Sequence, residues 1–169
     1  MDIEGYGKLL SEKLGDLDCK IIIEPGRFLT ANSAILVTKT LYIKNTDSNN
    51  FIIVDAAMND FIRPTLYNAY HQVVSVKEGK KDTVLKYDIV GPVCESGDFF
   101  RKNIKMGSIE EGDLLAIKSV GAYGSVLSSN YNTRPSINEI LVNNDQFEII
   151  RDRVEVEEII KRDKIPNWI

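Results

Sequence analysis

The sequence predicts a mainly β protein, an antiparallel sandwich or barrel with one helix–strand unit before it and a short helix at its C-terminal end. Two observations predict this class. Short runs rich in β-branched and aromatic residues recur from residue 33 to residue 154, and polar turn sequences separate several of them. Strands and turns spaced in this way are typical of sandwiches and barrels.

The N-terminal segment has a different pattern. Apolar side chains follow helical spacing over residues 4–14, and Gly15 supplies a stop signal. The continuous apolar run Cys19–Ile23 then indicates a strand buried on both faces, which ends at the turn Glu24–Arg27. Parallel strands need neighbours and crossovers, and a single unit cannot supply them. We therefore expect the chain to be the end of a larger α/β-plus-β protein.

The β domain is expected to contain the runs SAILVTKTLYIK, FIIVDAA, QVVSV, TVLKYDIV, DLLAIKSV, EILVN and FEIIRDRV as strands. Turn chemistry separates several of them in the stretches NTDSNN, EGKKD, EEGD and NND. A short helical turn is expected after Arg63, because Pro64 suits the first position of a helix. A closing helix is expected in VEVEEIIKRD, before Pro166.

Composition limits the compartment and the partners. The chain is 43% hydrophobic and 27% charged, and its net charge of -4 at pH 7 argues against a nucleic-acid partner. No apolar run approaches the roughly 18 residues of a membrane helix. The N-terminus MDIEGYGK lacks the basic and apolar regions of a secretion signal, and Cys19 and Cys94 do not make a disulfide framework. We expect a cytoplasmic protein that binds neither membranes nor nucleic acid.

The turn Glu24–Arg27, EPGR, lies where α/β folds place ligand sites, at the carboxyl end of a buried strand. Gly26 would let backbone N–H groups approach a phosphate, and Arg27 could pair with a carboxylate. The alternative is a plain Pro-Gly turn with two solvated charges. The residues alone leave both interpretations open.

Two further segments carry candidate ligand-binding side chains. Arg63 and Tyr67 share one face if their segment is helical, although such a pair is also common on surfaces. Tyr123 lies in the stretch Gly121–Pro135, which is rich in small and polar residues and is either a surface loop or aimed at a ligand. His71 is the only histidine, and one histidine builds neither a metal cluster nor a catalytic triad. We interpret it as structural and expect no metal site.

The loop Gly91–Asp98, GPVCESGD, places Cys94 directly before Glu95 in a polar, turn-bounded segment. An ordinary thiol is mostly protonated at pH 7, and a neighbouring carboxylate disfavours the ionised form. A thiol in such a loop therefore suits a proton donor better than a nucleophile. The alternative is an ordinary loop cysteine.

Taken together and in order, EPGR, DAAMNDFIRPTLYNAYH, GPVCESGD and GAYGSVLSSNYNTRP resemble the diaminopimelate decarboxylase family, and the resemblance covers nearly the whole chain. These enzymes of bacterial lysine biosynthesis are carboxy-lyases that use pyridoxal 5'-phosphate to convert meso-2,6-diaminopimelate to L-lysine and CO2. They share the α/β-barrel and β-barrel architecture of alanine racemase and ornithine decarboxylase. The resemblance implies that residues 1–30 are the last helix–strand unit of the α/β barrel, and that residues 31–169 are the C-terminal β-barrel domain.

The resemblance also implies roles for the matching residues. Contacts to the cofactor are implied for Glu24, Gly26, Arg27 and Tyr123. Contacts to the substrate are implied for Arg27, Arg63, Tyr67, Glu95 and Tyr123. Cys94 would be the catalytic proton donor, in a homodimer whose Cys–Glu loop enters the active site of the other subunit.

The family's cofactor lysine and a histidine that stacks on the cofactor belong to early barrel strands, and neither has a matching position here. The resemblance therefore implies that the 169-residue chain is inactive alone and that the cofactor binds only in the complete enzyme, which also contains the N-terminal barrel. Two other functions stay open. One is a related decarboxylase of another basic amino acid, although Arg63 and Glu95 count against it. The other is a non-catalytic domain that dimerises with or regulates a relative.

Overall fold

The computed structural model describes residues 2–77 and 84–169. The helices are α1 Ile3–Leu14, α2 Gly26–Thr30, α3 Arg63–Tyr67 and α4 Val156–Ile160. The strands are β1 Ile35–Asn45, β2 Asn50–Val54, β3 Val73–Ser75, β4 Leu85–Val90, β5 Phe99–Met106, β6 Leu114–Lys118, β7 Glu139–Asn143 and β8 Gln146–Arg151. The prediction of a mainly β protein is confirmed. The predicted turn EGKKD, and Thr83 at the start of the run TVLKYDIV, lie outside the described residues.

Strand β1 connects the two halves of the main sheet, whose order is β3-β6-β1-β2-β4-β5. Residues Ile35–Lys39 pair with β6, and residues Thr40–Asn45 pair with β2. The register shifts between Thr40 and Tyr42, an irregularity of the kind that bends a strand and increases its twist. One long strand therefore belongs to two half-sheets, which gives the sheet its barrel-like curvature.

One strand pair departs from the antiparallel arrangement that the sequence predicts. Strands β2 and β4 are parallel, with Ile52 opposite Ile89. Parallel neighbours need a crossover, and here the chain between them forms α3 and β3 before it returns. The sheet is therefore mixed, and the crossover carries Arg63 and Tyr67.

The core lies against the middle strands of this sheet. Among the described residues, five large aliphatic side chains are completely buried, at 0% exposure: Ile52, Val54, Ile89, Leu115 and Ile117. The rings of Phe61 and Phe100 join the same cluster. The loop after β2, which contains Phe61, is thus anchored in the core at the point where the candidate site residues begin.

Helix predictions based on local signals are confirmed. Helix α1 begins where the side chain of Asp2 accepts the Gly5 N–H at 3.0 Å, and it ends before Gly15. Helix α3 has Pro64 near its start, and α4 closes the chain before Pro166. The turn NND joins β7 to β8 as an antiparallel hairpin, with Asn144 at a φ of 54°.

One predicted strand is absent from the described residues, and one observed strand was not predicted. Residues Cys19–Ile23 form no strand, and Ile22 is 73% exposed. A strand buried on both faces requires parallel neighbours, and the described residues place none beside this run. Conversely, β5 was not predicted, because Arg101, Lys102 and Lys105 interrupt its apolar pattern. Its pairing with β4 determines its conformation.

None of the helices in the described residues is both long enough and apolar enough to cross a lipid bilayer.

The buried Ile89 provides a test of the described core. Replacing Ile89 with alanine should lower the free energy of unfolding by about 2–5 kcal/mol, since a fully buried aliphatic side chain is lost and a cavity remains. The matched control is Ile35→Ala in β1, because Ile35 is 56% exposed and should change stability far less. Urea unfolding followed by circular dichroism measures both. Equal losses in the two variants would contradict the described core.

Candidate active site

Three of the segments singled out in the sequence meet around the guanidinium group of Arg63. Its Cζ lies 5.2 Å from the centroid of the Tyr67 ring and 5.6 Å from that of the Tyr123 ring. A Cβ placed on Gly26 would lie 3.5 Å from the Tyr123 hydroxyl, so the EPGR turn approaches the same ring. We call Gly26, Arg63, Tyr67 and Tyr123 the arginine cluster.

Local backbone geometry positions the members of this cluster. Arg63 and Tyr67 are four residues apart on α3 and therefore share one of its faces. Tyr123 has a φ of 57°, in the left-handed region that a bulky side chain rarely occupies. Such a conformation persists only when the surroundings hold it, and the nearby Gly121 N–H donates to the Ala31 carbonyl at 3.0 Å. The Tyr123 side chain is 47% exposed beside Gly26.

The cluster contains a hydrogen-bond donor that the described residues leave without a partner. The Nε of Arg63 is buried and has no acceptor within the described part of the chain. Buried polar groups are normally hydrogen-bonded, so an unpartnered guanidinium N–H indicates a position for an acceptor supplied from elsewhere. A carboxylate or phosphate group fits this donor, because guanidinium groups bind both.

The two charged residues of the EPGR turn, Glu24 and Arg27, lie beside the cluster. The Glu24 carbonyl accepts the Gly26 N–H at 2.8 Å, while the Glu24 side chain is exposed. Arg27 follows Gly26 on α2. The positive charges of Arg27 and Arg63 both lower the pKa of His71, so both side chains lie in the same region as that ring. The turn therefore brings a second guanidinium group into the region of Arg63.

His71 lies buried close to these two arginines. Its Nδ1 donates to the Lys118 carbonyl at 3.0 Å, and its ring packs edge-on against Phe61. Burial lowers the pKa of His71, the hydrogen bond to Lys118 opposes this change, and the charges of Arg27 and Arg63 lower the pKa further. A neutral, packed imidazole supports our interpretation of His71 as structural.

The loop Gly91–Asp98, which we call the cysteine loop, is closed by its own hydrogen bonds. The Gly91 N–H donates to the Asp98 carbonyl at 3.0 Å, and the carboxyl Oδ2 of Asp98 accepts the Val93 N–H at 2.7 Å. A side chain at Gly91 would overlap the Asp98 carboxyl, so this position requires glycine. Cys94 is exposed, and Oε1 of Glu95 accepts the Gly97 N–H at 3.0 Å.

Helix α3 separates the cysteine loop from the arginine cluster. The Thr65 hydroxyl donates to the Gly97 carbonyl, so the loop packs against the face of α3 that contains Thr65. Residues two apart on a helix do not share a face, so Thr65 points away from Arg63. In the described residues no recorded hydrogen bond, ion pair or cation–π contact joins Cys94 to the cluster. One chain therefore presents the predicted residues as two separate groups.

A network of polar groups, three of which are the buried side chains Asn59, Asp60 and Asp98, fixes the loop after β2. The Nε of Arg134 donates to Oδ1 of Asn59 at 2.8 Å, its Nη2 donates to the Asp55 carbonyl at 2.7 Å, and Nη2 lies 3.7 Å from the Asp60 carboxyl. Asn59 also exchanges hydrogen bonds with the backbone of Ser129. Across the loop, Oδ1 of Asp98 accepts the Met58 N–H at 2.7 Å. The three loops of the site are thus joined to one another.

Both buried carboxyl groups of this network have altered pKa values. Burial raises the pKa of Asp98, and the hydrogen bonds from Val93 and Met58 partly offset that effect. Burial likewise raises the pKa of Asp60, against the hydrogen bond from Ala57 and the charge of Arg134. A raised carboxyl pKa contributes stability below the unfolded value, and that contribution is lost as the pH rises through the folded value.

A cavity of about 250 Å³ lies where the three loops meet. Its lining residues are Met58, Asn59, Ile62, Glu95, Ser129 and Tyr131. One lining residue, Glu95, is among those for which the family resemblance implies a contact to the substrate. Elsewhere in the described residues, no group of three or more histidine, cysteine, aspartate or glutamate side chains is arranged to hold a metal ion.

The family follows from residues 16–121, which match the model of the pyridoxal-dependent decarboxylase C-terminal sheet domain. The chain belongs to this decarboxylase family. Among the curated relatives, the diaminopimelate decarboxylase of Zymomonas mobilis is 40% identical over 99% of this chain and 39% of its own length. That of Pseudomonas fluorescens is 48% identical over 93% of this chain and 37% of its own length.

Two solved structures agree with the described fold. AQ1208 from Aquifex aeolicus has a TM-score of 0.83 and 43% identity, and covers 94% of this chain and 39% of its own. The diaminopimelate decarboxylase from Helicobacter pylori, complexed with L-lysine, has a TM-score of 0.83 and 40% identity over 96% of this chain and 40% of its own. The chain thus spans about two fifths of these relatives. The resemblance to diaminopimelate decarboxylases is confirmed.

The residues that hold the loops of this decarboxylase domain in place cannot be recognised from the motifs. Asn59, Asp98 and Arg134 lie inside segments that were singled out, yet no role was assigned to them. The available signal was the occurrence of polar side chains within DAAMNDFI, a stretch that otherwise reads as apolar core. A polar residue that is buried needs a hydrogen-bond partner, so each such residue predicts a contact. The local sequence does not show which distant residue is the partner.

We expect Asp98→Asn to destabilise this decarboxylase domain by about 1–3 kcal/mol. Asparagine has one acceptor oxygen, so its NH2 group would face the N–H of either Met58 or Val93. Urea unfolding measures the loss, and Asp47→Asn, in the exposed turn between β1 and β2, is the matched control. An Asp98→Asn protein as stable as the control would show that these bonds do not support the loops.

Proposed function

We propose that the chain is the substrate-defining C-terminal part of a diaminopimelate decarboxylase, which releases CO2 from meso-2,6-diaminopimelate to form L-lysine in the cytoplasm. The observation that carries the proposal is the arginine cluster around Arg63, with its buried and unpartnered Nε. Relatives of that name match almost the whole chain, which supports the assignment. We further propose that residues 1–30 complete an N-terminal α/β barrel and that residues 31–169 are a separate domain.

Pyridoxal 5'-phosphate is the proposed cofactor of the complete enzyme, and when bound it supplies the electron sink that decarboxylation requires. Gly26, Arg27 and Tyr123 fit a phosphorylated ligand. Gly26 leaves open the space beside the Tyr123 hydroxyl that a side chain would occupy. Its backbone can therefore approach a phosphate closely, and Glu24 shapes the turn through its carbonyl.

Recognition of the substrate must depend on the end that does not react, because substrate and product differ by one carboxylate. Arg63 is proposed to bind the carboxylate at that end, with Tyr67 and Tyr123 flanking the guanidinium. Glu95 is proposed to bind the ammonium group there, and Arg27 a further substrate carboxylate. A hydrogen bond to a charged group is worth about 1.5–3 kcal/mol, so two such bonds give strong selection.

Cys94 is proposed to supply the proton that replaces CO2. The carbon that loses the carboxylate must gain a proton, and the Cys94 Sγ–H can deliver it and recover it from solvent. The exposure of Cys94 and the closed backbone of its loop suit a side chain that enters another cavity. Since α3 separates Cys94 from the arginine cluster, we propose a homodimer in which each active site combines the cluster of one subunit with the cysteine loop of the other.

The role of Arg63 is testable in the complete enzyme. We expect Arg63→Ala to lower kcat/KM for meso-diaminopimelate by about 10- to 150-fold, the equivalent of one lost charge-assisted bond of about 1.5–3 kcal/mol. Steady-state kinetics measure the effect, and Arg162→Ala is the control because Arg162 is exposed beyond α4. An unchanged kcat/KM for Arg63→Ala would remove Arg63 from the substrate site.

The shared active site is testable with mixed dimers. Cys94→Ala should lower kcat by about 100- to 10,000-fold, the usual contribution of a general acid. If sites are shared, a dimer of one Cys94→Ala subunit and one Arg63→Ala subunit has one site with both residues intact. Part of the activity that the two variants have lost should therefore return when they are mixed. Verified mixed dimers that stay inactive would mean that Cys94 serves its own subunit.

A further inference from the structure

The cavity of about 250 Å³ has a chemistry that the roles given so far do not explain. Its walls come from the loop after β2, the cysteine loop and the stretch Gly121–Pro135. The members of the arginine cluster do not line it. Three of its lining side chains are largely apolar: Met58, Ile62 and the ring of Tyr131. The proposed function assigns none of these three to the substrate.

The polar groups of the cavity leave one charged group available. Asn59 is engaged on all sides, because it accepts from Arg134 and its amide donates to Asp60 and to the Ser129 carbonyl. Glu95 uses Oε1 for the Gly97 N–H, and its other carboxylate oxygen stays available. An apolar wall with a single carboxylate suits an alkyl chain that bears an ammonium group.

The backbone holds Tyr131 at this wall. Its N–H lies 3.4 Å from the Ser129 hydroxyl, and its carbonyl accepts the Arg134 N–H at 3.3 Å. Thr133 has a φ of 55°, which a β-branched residue rarely adopts. The Arg134 network fixes the end of this turn to Asn59, so the Tyr131 ring and Glu95 are parts of one connected assembly.

We propose that Tyr131, Met58 and Ile62 form the wall of a subsite for the aliphatic chain of a diamino acid, whose ammonium group binds Glu95. The proposal rests on the proposed function and adds specificity-determining residues to it. Because Glu95 of the cysteine loop lines the cavity and the members of the arginine cluster do not, the proposal assigns Tyr131 to the same active site as Cys94. That site lies in the opposite subunit of the proposed dimer.

Kinetics and binding test the wall in the complete protein. Tyr131→Ala should raise KM for meso-diaminopimelate about 10- to 100-fold with a smaller change in kcat, and should weaken binding of L-lysine by a similar factor in calorimetry. Tyr131→Phe, which keeps the ring, should change KM and L-lysine binding much less than Tyr131→Ala. Tyr42→Ala is the control, because Tyr42 is exposed on β1. Ile62→Val, which removes one carbon from the same wall, should give a smaller loss in the same direction.

Mixed dimers test the connection to Cys94. Cys94→Ala and Tyr131→Ala subunits should not restore activity to each other, because both residues would enter the same site from one subunit. Arg63→Ala and Tyr131→Ala subunits should restore it. Recovery in the first pair, or L-lysine binding unchanged in Tyr131→Ala, would overturn the subsite. A wild-type protein inactive on meso-diaminopimelate would overturn the proposed function instead, and L-lysine binding would then decide the subsite alone.

Discussion

The carboxyl of Asp98 is the contact on which the arrangement of the candidate site depends. One of its oxygens holds the Val93 N–H within the cysteine loop, and the other holds the Met58 N–H of a loop that is 40 residues away in sequence. Burial raises the pKa of this group, so the protein places a carboxyl in an environment that disfavours its charge. The two backbone hydrogen bonds offset that cost and fix the distance between the loops. Together with the bond from the Thr65 hydroxyl to the Gly97 carbonyl, they define where Cys94 and Glu95 lie relative to α3.

Arg134 extends the same constraint to the third loop. Its guanidinium bonds to Asn59 and to the Asp55 carbonyl, and Asn59 in turn holds the backbone at Ser129. The buried members of this network, Asn59, Asp60 and Asp98, need their partners, because each buried group left unpaired would cost about 1–3 kcal/mol. An exposed loop can thus carry reactive and substrate-binding side chains on a rigid base. At the end of the third loop, the Arg134 N–H donates to the Tyr131 carbonyl across Thr133, whose φ of 55° is left-handed.

The sequence predicts those parts of the structure that depend on local signals. Helix α1 follows from apolar spacing and Gly15, and the β7–β8 turn follows from its asparagines. Strand β5 could not be predicted locally, because its strand conformation depends on pairing with β4 and not on the pattern of its own residues. The run Cys19–Ile23 fails for the opposite reason, since it has the apolar pattern of a buried strand but no strand of the described residues lies beside it. Among the site residues, Arg63 and Cys94 were found through the order of four segments, whereas Arg134 acts on Asn59 across 75 residues.

Helix α3 gives the two halves of the candidate site their directions, although it spans only Arg63–Tyr67. A helix of one turn is not stable by itself, so contacts outside it must fix its position. Within α3, Pro64 is buried, and the Thr65 hydroxyl donates to the cysteine loop. Asn68 ends the helix in a left-handed conformation. The cysteine loop, which contains Cys94, therefore also helps to orient Arg63 and Tyr67 of the arginine cluster. In the proposed dimer, each active site combines one half from each of the two subunits. The cysteine loop of one subunit then completes the active site of its partner, and it also orients Arg63 in its own subunit. Both active sites therefore depend on the correct packing of this loop.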